Sequence, residues 1–111
     1  MPFEQPIALR CHLSRGGFSS ERVIRIPQAS GETFIGVAPL EYCFTDQGQP
    51  IAPDQPAPGV RMPALVTARK IHVKHDGSVL ASVPDGNVIS VRPELVTKPP
   101  REVAPDVVVQ P

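Results

Sequence analysis

Apolar and polar side chains alternate along much of this chain, and the alternation predicts β-strands. The first strand is predicted at residues 7–13, where the apolar set is Ile7, Leu9, Cys11 and Leu13. A period of two places this set on one face and the intervening residues, such as Ala8 and His12, on the other. We therefore predict one buried face, which includes Cys11, and one exposed face, which includes Ala8.

Two further strands are predicted at residues 22–27 and 33–38. In the first, Ile24 and Ile26 face inward, and the odd spacing of Arg22 and Arg25 places them on opposite faces. In the second, a glycine at position 36 interrupts a run of β-forming residues. A glycine inside a strand indicates a bulge or a closely approaching backbone, so we predict one of these at Gly36.

Residues 64–96 carry the strongest fold signal, because three β-rich runs are joined by two turns that each contain Asp-Gly. The first run changes parity near Arg69 and Lys70, which predicts a bulge there. The inward residues of the next two runs are predicted to be Val79, Ala81, Val83, Ile89 and Val91. The Pro-Glu after them predicts a single helical turn within residues 92–96.

The fold class follows from these strands and from the absence of any long amphipathic helix pattern. The chain has 15 prolines and only 5% aromatic residues, so its core must consist of Val, Ile and Leu. We predict an all-β fold, a small antiparallel barrel or roll with five to seven short strands. Residues 64–96, a meander followed by a one-turn helix, resemble SH3-like barrels in strand spacing, and the resemblance implies the fold alone.

The domain organisation follows from length and proline content. Residues 1–97 are predicted to form one small barrel domain, in which residues 45–63 make a long Pro-rich surface loop. Residues 98–111 are predicted to be an extended or disordered tail. Within that tail, Val107–Val109 could add a strand at a sheet edge. Between the first two strands, Phe18 is predicted to cover one end of the core.

Basic residues are concentrated in one part of the chain, although the formal net charge is zero. Residues 61–75 carry four Lys or Arg residues and no acidic residue. Pairing with acidic neighbours across a sheet accounts for such a segment, and binding of a polyanion is the functional alternative. The candidate basic ridge consists of Arg61, Arg69, Lys70, His72 and Lys74.

A second candidate site is the glycine-containing loop of residues 14–20. Adjacent glycine amides flanked by an arginine and two serines could form a nest for a phosphate or a carboxylate. The loop has no P-loop pattern, and an ordinary connection between strands is the favoured explanation of it. The candidate residues are Arg15, Gly16, Gly17, Ser19 and Ser20.

Patterns for catalysis, metals and membranes are missing from the sequence. The three histidines and two cysteines form no CxxC, HxH or HExxH spacing, and the serines have no GxSxG context. We therefore predict no enzyme, no metal and no cofactor. Without a secretory pattern or a long apolar run, we predict no membrane association, a cytoplasmic location and two free thiols.

The sequence thus favours a small non-enzymatic interaction module that binds a protein partner or itself, as a homo-oligomer. The binding element would be the Pro-rich loop, the 14–20 loop or an open edge strand. The alternative is an RNA- or DNA-binding barrel that uses the basic residues around Arg69, Lys70 and Lys74. Neutral net charge and scarce aromatic residues weigh against the alternative.

Overall fold

The computed structural model describes residues 5–100. This part of the chain contains strands and two 3₁₀ turns, at Leu40–Tyr42 and Pro93–Leu95, and no α-helix. The strands are β1 (Gln5–Arg15), β2 (Glu21–Pro27), β3 (Thr33–Pro39), β4 (Cys43–Thr45), β5 (Met62–Val73), β6 (Val79–Ser82), β7 (Val88–Val91) and β8 (Val96–Thr97).

Six strands form one antiparallel path in the order β3-β2-β1-β5-β6-β7. The path curls back on itself, because β8 comes after β7 in the chain and pairs with β1, an inner strand of the path. The paired residues are Ala8↔Thr97 and Leu9↔Val96. The short strand β4 pairs with β5. The result is a nearly closed antiparallel barrel, which confirms the predicted all-β class and small barrel. The resemblance to SH3-like barrels stays a prediction.

The core consists of the inward faces that alternation predicted. The buried residues include Ile7, Leu9, Cys11 and Leu13 on β1 and Ile24 and Ile26 on β2. The five residues predicted to face inward further along the chain are also buried: Val79 and Ala81 on β6, Val83 after it, and Ile89 and Val91 on β7. One assignment is wrong. Ala8, predicted to be exposed, is fully buried in a second small cluster with Phe44 and Leu65, because β4 places the Phe44 ring over this part of the outer face.

Gly36 is neither a bulge nor a contact of two backbones, so that prediction is wrong. The β2–β3 register runs without interruption from Glu21↔Pro39 to Pro27↔Thr33. Glycine is needed because a Cβ at position 36 would lie 2.6 Å from the Phe34 ring and 2.7 Å from the Asp85 carboxylate. Two side chains therefore occupy the space beside it.

The predicted bulge in β5 is confirmed. The β5–β6 register shifts between Lys70 and His72, so Ile71 is the extra residue. Both Asp-Gly turns are confirmed as well, with Gly77 at φ 90° and Gly86 at φ 93°. In each turn the aspartate accepts a hydrogen bond from the backbone N–H two residues later, at 2.9 Å.

The proline-rich segment between β4 and β5 is mostly exposed, but Ile51 and Pro56 are buried. Met62 and Pro63, predicted to end the surface loop, instead begin β5, where Pro63 lies opposite His12. The alternation of hydrogen-bonded pairs explains this position, because the N–H that proline lacks would point toward the side where β4 has already ended.

Two further predictions concern the loops and the end of the chain. Phe18 does not cover the core, because 69% of its surface is exposed. The prediction was wrong because Leu13 and Ile24 already fill the interior beside this loop. Residues 101–111 lie outside the described part of the chain, and so does the predicted edge strand at Val107–Val109.

Candidate interaction surfaces

The outer edge of β3 is unpaired within residues 5–100, where its only hydrogen-bonded neighbour is β2. The hydrogen bonds Leu40 N→Ser20 O and Gln28 N→Glu32 O flank the β2–β3 ladder. Hydrogen-bonded pairs alternate along an antiparallel ladder, so the even-numbered residues of β3 bond to β2. The N–H and C=O groups of Ile35 and Val37 therefore point outward along the open edge.

The side chains beside this edge are apolar and accessible. Ile35 is 59% exposed and Val37 is 39% exposed. Val23 on β2 lies directly opposite Val37 and is half-buried, so the two side chains share one face. No Lys, Arg, Asp or Glu lies within β3. The strand thus lacks the charges and bulges by which edge strands usually avoid pairing.

A buried arginine attaches the proline-rich segment to the barrel. Arg22 is fully buried, and its guanidinium donates Nε to Gln55 O at 2.7 Å and Nη2 to Pro53 O at 2.8 Å. Its Nη1 donates to the carbonyls of Ser19 at 3.0 Å and Glu21 at 2.9 Å. Burial, followed by repulsion from Arg15, lowers the pKa of Arg22. These bonds connect β2 to the 14–20 loop and to the proline-rich segment.

The loop proposed as an anion nest is engaged by the same segment. Arg15 donates Nε to Pro56 O at 2.9 Å. Neither Gly16 nor Gly17 has a positive φ, whereas a nest needs right- and left-handed residues in alternation. The Ser19 and Ser20 carbonyls accept bonds from Arg22 and Leu40. The loop therefore has a structural explanation in its contacts with the proline-rich segment and β3.

The five residues of the basic ridge lie at different places along β5. Arg61 precedes the strand, and Lys74 follows its other end, about 40 Å farther along the chain at ~3.3 Å per residue. Arg69 and His72 lie opposite Ser82 and Leu80, on the outer face of the sheet. Lys70 lies opposite the buried Ala81 and so shares the inner face. Arg69, His72 and Lys74 thus remain as one outer group.

A shallow groove of about 370 Å³ lies where β5 passes from β4 to β6. Its lining includes Tyr42 and, on β5, Thr67 and Arg69. β4 pairs with residues 64–66 and β6 begins pairing at Arg69, so neither strand reaches Thr67. Its N–H and C=O point into this gap and meet no hydrogen-bonding partner among residues 5–100. The groove therefore combines a backbone donor and acceptor with an aromatic ring and a cation.

The two thiols are buried and free. Burial raises the pKa of Cys43 to about 12, partly offset by Arg22. Burial, with a smaller contribution from the charge of Cys43, also raises the pKa of Cys11. Since the thiolate is the reactive form, both side chains act as small apolar residues of the core.

A chain of hydrogen bonds among polar side chains stabilises the turn between β5 and β6. Asp76 accepts hydrogen bonds from the amide and hydroxyl of Ser78, which lower the pKa of Asp76. Ser90 donates to Ser78 and accepts from Lys74, so this chain of bonds connects the β5–β6 turn to β7.

Within residues 5–100 no group of three His, Cys, Asp or Glu side chains is arranged to hold a metal ion. This part of the chain also has no helix long and apolar enough to cross a membrane.

Two of these features were not identified from the sequence, although each left a signal there. Arg22 has the same parity as Ile24 and Ile26, which indicated burial. Ile35 and Val37 are apolar, and so are their neighbours of the opposite parity, which indicated a strand with two apolar faces. That β3 is an edge strand follows only from the order of strands in the folded sheet.

Comparisons of the chain with models of known protein families, with curated proteins and with solved structures found no match.

Proposed function

We propose that this chain is a small non-enzymatic interaction module, and that its docking surface is the edge of β3. The observation that carries the proposal is that the outward amides of Ile35 and Val37 lie beside their own exposed apolar side chains. An extended polypeptide can pair with such an edge through its backbone and place alternate side chains against the apolar ones. The partner is therefore a β-strand of another polypeptide.

The non-enzymatic part of the proposal is supported by the state of the nucleophiles. Both thiols are held in their protonated form by burial, and a protonated thiol is a poor nucleophile. The hydrogen-bonded chain from Asp76 to Ser90 is accounted for by the turn that it stabilises.

Val37→Pro is expected to abolish binding at this edge while the fold is retained. Proline removes the outward N–H of residue 37 but no bond to β2, because residue 37 does not bond to that strand. The measurement is selection of ligands from a displayed random-peptide library, followed by amide chemical-shift mapping of the selected peptide. We expect shifts at residues 33–39 in the wild type and at least a tenfold loss of affinity in the variant.

The matched control is Val88→Pro on β7, because Val88 is likewise exposed and belongs to an outer strand of the path. This variant should bind the selected peptide as the wild type does. Selected peptides that shift residues elsewhere, or that bind Val37→Pro with unchanged affinity, would contradict the proposal.

A second candidate function is binding of RNA or DNA, favoured by the position of Tyr42 and Arg69 in one groove. A base could stack on the ring while Arg69, His72 and Lys74 meet phosphates. Arg69→Ala with Lys74→Ala should then weaken binding of a mixed oligonucleotide about tenfold or more and reduce its salt dependence, measured by fluorescence anisotropy. Arg10→Ala with Lys98→Ala, which removes the same charge from other exposed positions, is the control. No binding at low salt would exclude this function.

A further inference from the structure

Strand β3 has nearly the same sequence pattern in both directions about Gly36. Ile35 and Val37, one residue away on either side, are both β-branched and exposed. Phe34 and Ala38, two residues away, are a large and a small apolar residue on the inner face. Such a strand suits an antiparallel copy of itself, since each position then meets a complementary one.

From this pattern we propose that the strand docked at the β3 edge is β3 of a second copy of this chain. The two strands pair antiparallel about Gly36, so that Ile35 of each copy lies opposite Val37 of the other. The inference rests on the proposed function, because it uses the same edge, and it adds the identity of the partner and the register.

Hydrogen bonding is satisfied in this register. Residues 35 and 37 both direct their backbone groups outward, so the opposed Ile35 and Val37 exchange both bonds of a hydrogen-bonded pair. Thr33 lies opposite Pro39 of the second copy, and its N–H meets the proline carbonyl. Pro39 has no N–H to leave unpaired, so its place at the end of β3 is compatible with the pairing.

The neighbouring registers are less favourable. Pairing about Ile35 would place Phe34 of one copy opposite Gly36 of the other, where the Phe34 ring and the Asp85 carboxylate already fill the space. Pairing about Val37 would shorten the overlap to residues 35–39 and leave the outward amide of Thr33 beyond its end. Pairing about Gly36 uses the whole strand.

The side chains around this pairing are compatible with two identical chains. Gly36 would lie opposite Gly36, the position at which the two backbones come closest, at about 4.5 Å between Cα atoms. Glu32, which precedes β3, would lie opposite Leu40 of the second copy, so no charged residues of the paired strands oppose each other. The Asp85 carboxylates beside the two opposed glycines are the one pair of like charges that this register brings near the contact. Val23 extends the apolar face on the far side of each Val37.

The interface is small, which sets the strength that we expect. An interface formed mainly by two seven-residue strands lies below the roughly 1,200 Å² of a stable complex. We therefore expect a weak dimer that dissociates on dilution, with a weight-average mass in analytical ultracentrifugation that rises toward twice that of one chain.

A disulfide exchange experiment tests the register directly. Ile35→Cys and Val37→Cys are made as separate proteins of different mass, mixed, and oxidised in a glutathione buffer. Opposed residues of a hydrogen-bonded pair are about 5.5 Å apart at Cα, which a disulfide can span. We expect the mixed disulfide to exceed either self-linked product at least fivefold. Both positions are exposed, so the variants should keep the wild-type free energy of unfolding.

Two controls fix the background. The wild-type protein should form no covalent dimer, since Cys11 and Cys43 are buried. Val88→Cys, exposed to a similar degree on β7, should not cross-link to Ile35→Cys above that background. Preferred self-linking of Ile35→Cys or of Val37→Cys would overturn the register.

The pairing of two copies would be overturned if the wild-type protein stays monomeric at millimolar concentration and the two cysteine variants give no mixed disulfide. That result differs from failure of the proposed function, in which no selected peptide maps to β3 either. The two outcomes are therefore separated by the peptide experiment.

Discussion

Replacing Arg22 with Met is expected to lower the free energy of unfolding by about 3 kcal/mol. Four hydrogen bonds join the guanidinium to backbone carbonyls, and bonds to a charged group contribute about 1.5–3 kcal/mol each. The net loss is smaller than their sum, because the variant also avoids the several kcal/mol that burying a cation costs. Two of the carbonyl residues, Ser19 and Pro53, are exposed and can bind water instead.

Urea denaturation measures this loss, and proteolysis identifies the segment that it releases. Without Arg22, residues 53–55 lose their attachment to β2, so thermolysin should cleave the variant in the 46–61 segment faster than the wild type. Arg22→Lys should be intermediate, since an ammonium group cannot reproduce the planar fork of a guanidinium.

Arg25→Met is the matched control on the same strand. Arg25 is half-buried, and its guanidinium donates one bond, to the Ser14 hydroxyl at 2.8 Å. Its replacement should cost less than about 1 kcal/mol. Equal stability of the two methionine variants would contradict the structural role assigned to Arg22.

The comparison of Arg22 with Arg25 also shows how far the sequence determines the fold. Alternation placed the two arginines on opposite faces, and it placed Ile24 and Ile26 in the core, because side-chain direction in a strand depends only on local parity. The carbonyls that Arg22 contacts at Pro53 and Gln55 are more than 30 residues away. A local sequence pattern cannot predict a contact between residues so far apart in the chain.

The wrong predictions have the same origin. The space beside Gly36 is filled by Asp85 from a distant turn, and Ala8 is covered by Phe44 from β4. The turns at Gly77 and Gly86 were predictable because a few adjacent residues determine them. The candidate surface at β3 was predictable only as some open edge, since the identity of the edge depends on the order of the strands.

The stability of the protein should fall steeply above about pH 9, because the two buried thiols resist ionisation only in the folded state. The pKa of Cys43 is raised from its ordinary value of 9.0 to about 12, and that of Cys11 is also raised. Above the unfolded pKa the unfolded chain binds fewer protons than the folded chain, so stability decreases as pH rises. Below it both states are protonated and the contribution is constant.

The expected size follows from the number of thiols. Each contributes about 1.4 kcal/mol per pH unit above the unfolded pKa, so the two together should remove about 4 kcal/mol between pH 8 and pH 10.5. Urea denaturation across this range measures the effect. The control is Cys11→Ala with Cys43→Ala, which keeps every other titrating group.

The difference in unfolding free energy between the wild type and this double variant isolates the thiols from lysine and tyrosine ionisation. It should favour the wild type most at pH 8 and decrease by about 4 kcal/mol by pH 10.5. At pH 8 both wild-type thiols should also react slowly with DTNB and rapidly in unfolding concentrations of urea, because reaction requires exposure of the thiolate. Parallel pH profiles for the two proteins would show that the thiols ionise as readily in the folded state as in the unfolded one, and would contradict their placement in the core.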